Sequence, residues 1–164
     1  FGAALTIDSI PVAFIISILD ENDAETFGFA PGDPEGQQTW ECLTMLISLR
    51  AWKDFWQREH VVLQCKGDNM GMLHMLTSLK ARGKGANLIA REIALDLSDA
   101  SFQPNMVEHV PGIMNVAADE LSRKFEPGRP FSLPVVLAAA KHTVVPLRTT
   151  SYYRTLMAAP PHPA

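Results

Sequence analysis

Four carboxylates in this sequence stand where an acid is structurally awkward unless it has a task. Asp8 interrupts an apolar, strand-like run, with Ala3–Leu5 before it and Val12–Leu19 after it. Glu41 follows Trp40 and opens a strongly apolar helical pattern. Asp68 closes the run that begins at Val61 and precedes Asn69, a helix-start residue. Asp119 falls in the first turns of a helix that begins near Asn115. Carboxylates converging from several elements repel one another unless cations neutralise them, so such a set is expected to hold a divalent metal pair. Phosphodiester hydrolysis of this kind uses two ions roughly 4 Å apart, one activating water and the other stabilising the leaving oxygen. Oxygen ligands suit Mg2+, with Mn2+ as a substitute, and Mg2+ keeps several waters, so three or four carboxylates suffice.

Periodicity indicates the elements that must position these acids. Phe1–Asp8, Val12–Leu19 and Glu25–Ala30 read as three strands, with the turn set Asp20–Asp23 joining the last two as a hairpin. From about Gln37 to Glu59, Trp40, Leu43, Ile47, Ala51 and Phe55 recur at helical steps, and Leu46, Leu49 and Trp52 widen the stripe. Val61–Lys66 reads as a strand, Asn69–Lys80 as a Met- and Leu-rich helix, Ala81–Gly85 as a basic connection and Asn87–Asp99 as a further helix. A strand over Gln103–Val110, a turn at Pro111-Gly112 and a helix over about Asn115–Lys124 follow. This order predicts an α/β fold: a five-stranded mixed sheet, its first three strands antiparallel, flanked by helices. Residues 1–126 make up that domain, and 127–164 read as a Pro-rich extension with one short helix near Leu133–Lys141 and a disordered last dozen residues.

With 164 residues the chain is long enough for one domain with a sizeable core and too short for two ordinary ones. It opens on Phe1-Gly-Ala-Ala-Leu5 and reads as a piece of a longer polypeptide. The longest apolar run, Pro11–Leu19, is about half the ~18–20 residues a membrane span needs, so no membrane partner is expected. Cys42 and Cys65 lie within apolar elements without metal-type spacing, as buried reduced thiols of an intracellular protein do. The net charge of −4 argues against a general nucleic-acid binder, but its distribution is uneven. Residues 1–41 carry eight acids and no Lys or Arg, whereas residues 42–164 carry ten acids and fourteen bases, compatible with a phosphodiester substrate.

Three segments resemble the ribonuclease H domain that follows reverse transcriptase in retrotransposon polyproteins. Trp40-Glu41 with Leu46, Leu49, Arg50 and Trp52 looks like that family's first helix and its metal-binding Glu. Gly67-Asp68-Asn69 after an apolar strand looks like its Asp-Asn turn. His109-Val-Pro-Gly112-Ile-Met-Asn115-Val-Ala-Ala-Asp119-Glu-Leu-Ser-Arg123 is similar to its most specific signature. The likeness covers about residues 4–125. At Thr6-Ile-Asp8-Ser-Ile-Pro11 the Asp and Pro of the family pattern are kept, but bulky Val12–Ile16 replaces a glycine-rich stretch. The resemblance implies a metal-dependent endonuclease that hydrolyses the RNA strand of RNA–DNA hybrids during reverse transcription, beside the reverse transcriptase domain of the same polyprotein. It implies Asp8 bridging two Mg2+ ions, Glu41 and Asp68 on one side and Asp119 on the other.

Strand selectivity of this kind rests on contacts to 2′-hydroxyls, for which Gly67, Asn69, Glu41 and Trp40 are the candidates. Asn69 serves either there or as the N-cap of its helix. Lys80, Arg82 and Lys84, with Arg91 nearby, serve either the DNA-strand phosphates or a solvated loop. Asn115 is a further substrate candidate and a helix starter, and His109 is read as a structural strand-end residue. Met70, Met72 and Met75, like Trp40, Trp52 and Trp56, read as packing residues. Asp20, Glu21, Asp23, Asp33 and Glu35 read as ordinary loop acids. The alternative to an enzyme is a catalytically degenerate domain of the same kind that binds nucleic acid or packs against the polymerase; the bulky Val12–Ile16 stretch favours it and the intact acids oppose it.

Overall fold

The computed structural model describes residues 1–56, 61–99, 103–109 and 115–157, and within 103–109 the side chain of Glu108 alone. The chain begins with a hairpin, β1 (Gly2–Ile7) antiparallel to β2 (Ile10–Ile16). Its loop is Asp8-Ser9, with φ of 49° and 66°. Two successive positive φ angles define the turn whose twist matches a two-residue hairpin, and Asp is among the few non-glycine residues that tolerate it. Side chains alternate across the pair. Leu5, Ala13 and Ile15 enter the main core, while Ala4, Phe14 and Ile16 face a smaller cluster with Leu121 and Leu137.

The expected third strand, Glu25–Ala30, is not a strand. The segment forms helix α1 (Glu21–Phe27), and local chemistry explains why. Asp20 accepts from the Asp23 amide at 3.0 Å, Asp23 accepts from the Asp20 amide at 3.0 Å, and Gly28 ends the helix at φ 75°. A reciprocal cap at one end and a left-handed glycine at the other define a helix of two turns. The acids read as a hairpin turn are this cap.

Helix α2 (Gln37–Ala51) buries Trp40, Leu43, Leu46, Ile47 and Leu49, as the periodicity requires, and ends at Trp52, short of the expected Glu59. A 3-10 turn over Lys53–Phe55 follows. β3 (Val62–Gly67) runs into α3 (Met70–Ser78), and α4 (Lys84–Ser98) starts three residues earlier than its apolar pattern suggested. β4 (Gln103–His109) pairs parallel with β3, its register joining Lys66 to Glu108. Helix α5 (Val116–Ser122) packs on β1. Met72, Met75 and all three tryptophans lie in the core as expected, whereas Met70, in the first turn of α3, is exposed and is not a packing residue.

Among the described residues five strands form, but not one sheet. β1 and β2 are joined by β5 (Lys141–His142), which lies parallel to β2, and β3–β4 make a separate two-stranded sheet. The expected five-stranded sheet with three leading antiparallel strands is therefore corrected. The third strand position is taken by two residues from the tail, and among the described residues β1 and β3 have one strand neighbour each. The α/β class stands.

Residues 127–157 lie against the rest of the fold. Tyr153 and Leu137 are fully buried, and Arg148 is 2% exposed. Arg148 forks onto Asp23, Nε to Oδ1 at 2.8 Å and Nη2 to Oδ2 at 2.5 Å, and donates to the Ile18 carbonyl at 2.8 Å. Further along, Glu92 accepts from the amides of Arg154 and Thr155 at 2.9 and 2.7 Å, from the Thr155 hydroxyl at 2.5 Å and from Arg50 at 2.7 Å. The last dozen residues, expected to be disordered, begin with buried Tyr153 and helix α6 (Arg154–Met157). Residues 158–164 lie outside the described part. No described helix is long and apolar enough to cross a membrane.

Candidate metal and nucleic-acid site

Glu41 sits one turn into α2, half-buried, with its carboxylate accepting from Gln37 Nε2 at 2.9 Å. Asp68 follows the carboxyl end of β3, the edge where open parallel sheets present ligand-binding groups. The two acids are coupled. Burial first, and the charge of Asp68 second, raise the Glu41 carboxyl above its ordinary range, against the opposing pull of Gln37 and the Phe1 amino group. An ionised neighbour that raises the cost of ionising Glu41 is an arrangement that a bound cation relieves.

The Phe1 end of β1 therefore lies beside Glu41, and this fixes the position of Asp8. Asp8 is at the opposite end of β1, exposed in the hairpin turn. Seven strand steps of ~3.3 Å place it roughly 20 Å from Phe1. The structure places Asp8 in the hairpin turn, and its bridging of two metal ions rests on the resemblance alone. Its positive φ, which Asp tolerates, suits it to that turn.

Asp119 is carried by α5, which packs on β1. α5 crosses β1 at Gly2, where an added Cβ would stand 2.8 Å from the Leu121 carbonyl carbon and the Ser122 nitrogen. Only glycine permits this approach, so Gly2 is the residue that sets α5 and Asp119 beside the Phe1 end. The Asp119 carboxylate turns to Arg123 at 2.9 Å. Hence Glu41 and Asp68 form a pair, with Asp119 on the far face of β1. Among the described residues no three His, Cys, Asp or Glu side chains come together closely enough to hold a metal. Mg2+ is commonly held by one or two carboxylates and retains its waters, so a pair of acids is the smallest protein ligand set it needs.

The other sequence candidates divide. Gly67 is buried at the end of β3, where a Cβ would meet Met72 Cε at 2.5 Å, so its smallness serves packing. Asn69 caps α3, its Oδ1 accepting from the Met72 amide at 2.9 Å. Trp40 is 5% exposed, packed edge-on to Phe27 and Phe29 with ring centroids 5.8 and 6.3 Å away. It is therefore a core residue and not a substrate-facing one. Asn115 begins α5 through its carbonyl, which accepts from the Asp119 amide at 3.0 Å. Lys80, Arg82 and Lys84 are exposed along the α3–α4 connection. His109 ends β4, its side chain lies outside the described part, and so do residues 110–114 of the signature.

Sequence reasoning missed Gln37, Gln38 and the tail residues. Gln37 precedes Glu41 by one turn, a spacing at which side chains meet, and that signal was available. Asp23 was taken for a loop acid, and only the fold shows Arg148 arriving 125 residues later. Both cysteines are free and buried; burial pushes Cys42 up to about 12 and Cys65 to about 11, so neither is a nucleophile. Comparison with models of known protein families, with curated proteins and with solved structures finds no match to this chain.

Proposed function

We propose that the chain is the ribonuclease H-type component of a retrotransposon reverse transcription machinery, cutting the RNA strand of RNA–DNA hybrids beside its reverse transcriptase domain. The observation that carries this reading is the coupled pair Glu41 and Asp68 at the carboxyl end of β3, in the segments whose sequences carry the resemblance. Glu41 and Asp68 would hold a divalent cation, Mg2+ or Mn2+. A cation held there would supply Lewis acidity toward a phosphoryl oxygen and a more acidic bound water. The chain's own part is electrostatic. Burial keeps water away from Glu41, Gln37 fixes its rotamer, and Asp68 raises the energy of the ion-free dianionic state.

A second reading, a degenerate domain that grips nucleic acid or packs on the polymerase without cutting, is favoured by the placement of Asp8. The described acids supply a pair and a distant third, not four converging ligands. Incubation of a labelled RNA–DNA hybrid with the chain and Mg2+ or Mn2+, alone and joined to its polymerase, separates the two. Metal-dependent cleavage that Asp68→Asn abolishes supports the enzyme. Intact RNA in every lane, with the hybrid still bound, supports the degenerate domain.

A further inference from the structure

We infer that the open edge of β5 is a docking surface for an extended acidic segment of a partner protein, which adds to it as a further strand. The surface lies in the tail, beyond the stretch of sequence that carries the resemblance. β5 ends the three-stranded sheet, and among the described residues no strand lies on its outer side. The Thr143 N–H donates to the Phe14 carbonyl at 2.8 Å, so the backbone groups of Thr143 turn toward β2. Successive strand residues turn these groups to opposite edges, and those of His142 therefore face outward. An N–H and a C=O held at a sheet edge are a template for another strand. The edge is also held in place: His142 stacks on Phe14 with ring centroids 5.1 Å apart, and Trp52 Nε1 donates to Thr143 Oγ1 at 3.1 Å.

The side chains around this edge are apolar and face water. Val135 and Val144 are 89% and 80% exposed, and Val136, Leu147 and Ile18 are exposed beside them. Arg148 donates to the Ile18 carbonyl at 2.8 Å, which sets Leu147 near Ile18. Leu137 is buried against Phe14, which holds the two valines before it close to the same strand. Charge then selects the occupant. Residues 127–164 contain four Lys or Arg and no Asp or Glu, and Arg129, Arg148 and Arg154 hold carboxylates from elsewhere in the chain. Lys141, in β5 itself, is exposed and enters none of the ion pairs found among the described residues. An acidic segment with alternating apolar residues complements both the cation and the strip. A second copy of the chain fits less well, because a two-fold pairing of β5 edges sets Lys141 and its copy close together. A lipid surface would leave the outward N–H and C=O of His142 without partners.

Three probes on the isotopically labelled full chain test this by amide NMR: a soluble peptide alternating Glu and Val, its Lys and Val counterpart, and phosphatidylcholine vesicles containing phosphatidylserine. The Glu–Val peptide is expected to move the His142, Thr143 and Val144 signals and to slow exchange of the His142 amide, and the Lys–Val peptide to leave them in place. Lys141→Glu should weaken binding of the first peptide about tenfold, the scale of replacing an attractive exposed pair by a repulsive one. The same variant should bind the second peptide, which a misfolded chain would not do. Ile10→Thr, at an exposed position of the hairpin, should behave as the wild type. Edge signals that the Glu–Val peptide does not move, or an equal response to both peptides, would overturn the proposal. So would edge signals that respond to the vesicles or to dimerisation of the chain in place of the peptide.

Discussion

Glu41 carries the strongest electrostatic signature of the candidate site. A carboxyl whose folded pKa is raised contributes stability that is fully present below its unfolded pKa and lost as pH rises through the folded value. At neutral pH the ionised Glu41 thus works against folding, and Glu41→Gln is expected to raise the melting temperature of the metal-free chain. Asp68→Asn should do the same by removing the charge that acts on Glu41. Added Mg2+ should stabilise the wild type and have little effect on either variant, as thermal unfolding with and without the ion will show. Asp8 behaves differently. Asn is favoured at its turn position, so Asp8→Asn should leave folding and any hybrid cleavage as in the wild type. A loss of cleavage in that variant would place Asp8 at the site after all.

At the scale of elements, the sequence disclosed most of what local rules govern. The helical stripe of α2, the apolar strand before Asp68, the Asn69 cap and the start of α5 at Asn115 all follow from periodicity and end signals. What it concealed was non-local or ambiguous. Asp20–Asp23 fits both a turn and a capping box, and the box was decided by Gly28 and by packing of Phe27 into the core. Two residues of β5 carry no detectable strand period, yet they complete the sheet beside β2. Asp8 lies one residue beyond β1 because alternation cannot distinguish a strand-end acid from a turn that links two strands. Two variants test these assignments. Asp20→Ala removes one half of the cap and should cost about 1 kcal/mol in chemical denaturation. Gly2→Ala inserts a methyl against the Leu121 backbone and should displace α5, read as altered Asp119 and Leu121 signals with the β1–β2 pairing preserved.

For the whole molecule, the C-terminal segment is a structural part of the domain. Arg148 and Asp23 are both removed from water, and Asp23 loses this guanidinium partner if the segment is absent. Removing one member of such a pair leaves an uncompensated buried charge, so Arg148→Met should destabilise by about 3–5 kcal/mol. Truncation after residue 126 should be worse, because Glu92 would then lie buried without Thr155 and the Arg154 amide. Glu92 adds a pH signature. Burial alone would raise it, but bonds from Thr155, Arg50 and the Arg154 amide hold it below the ordinary Glu range. That stability is present above the unfolded pKa and is lost as pH falls through the folded one, so acid below the ordinary Glu range should release the tail before it affects the helical core. Hydrogen exchange of the 153–157 amides across that window measures the order of events.

The central claim is that Glu41 and Asp68 together form a cation site, and the carboxyl titration of Glu41, followed by carbon NMR, tests it most directly. The expected result is a raised pKa in the metal-free chain, lowered by Asp68→Asn and lowered further in the wild type by saturating Mg2+. A Glu41 titration that neither Asp68→Asn nor Mg2+ moves would contradict the account.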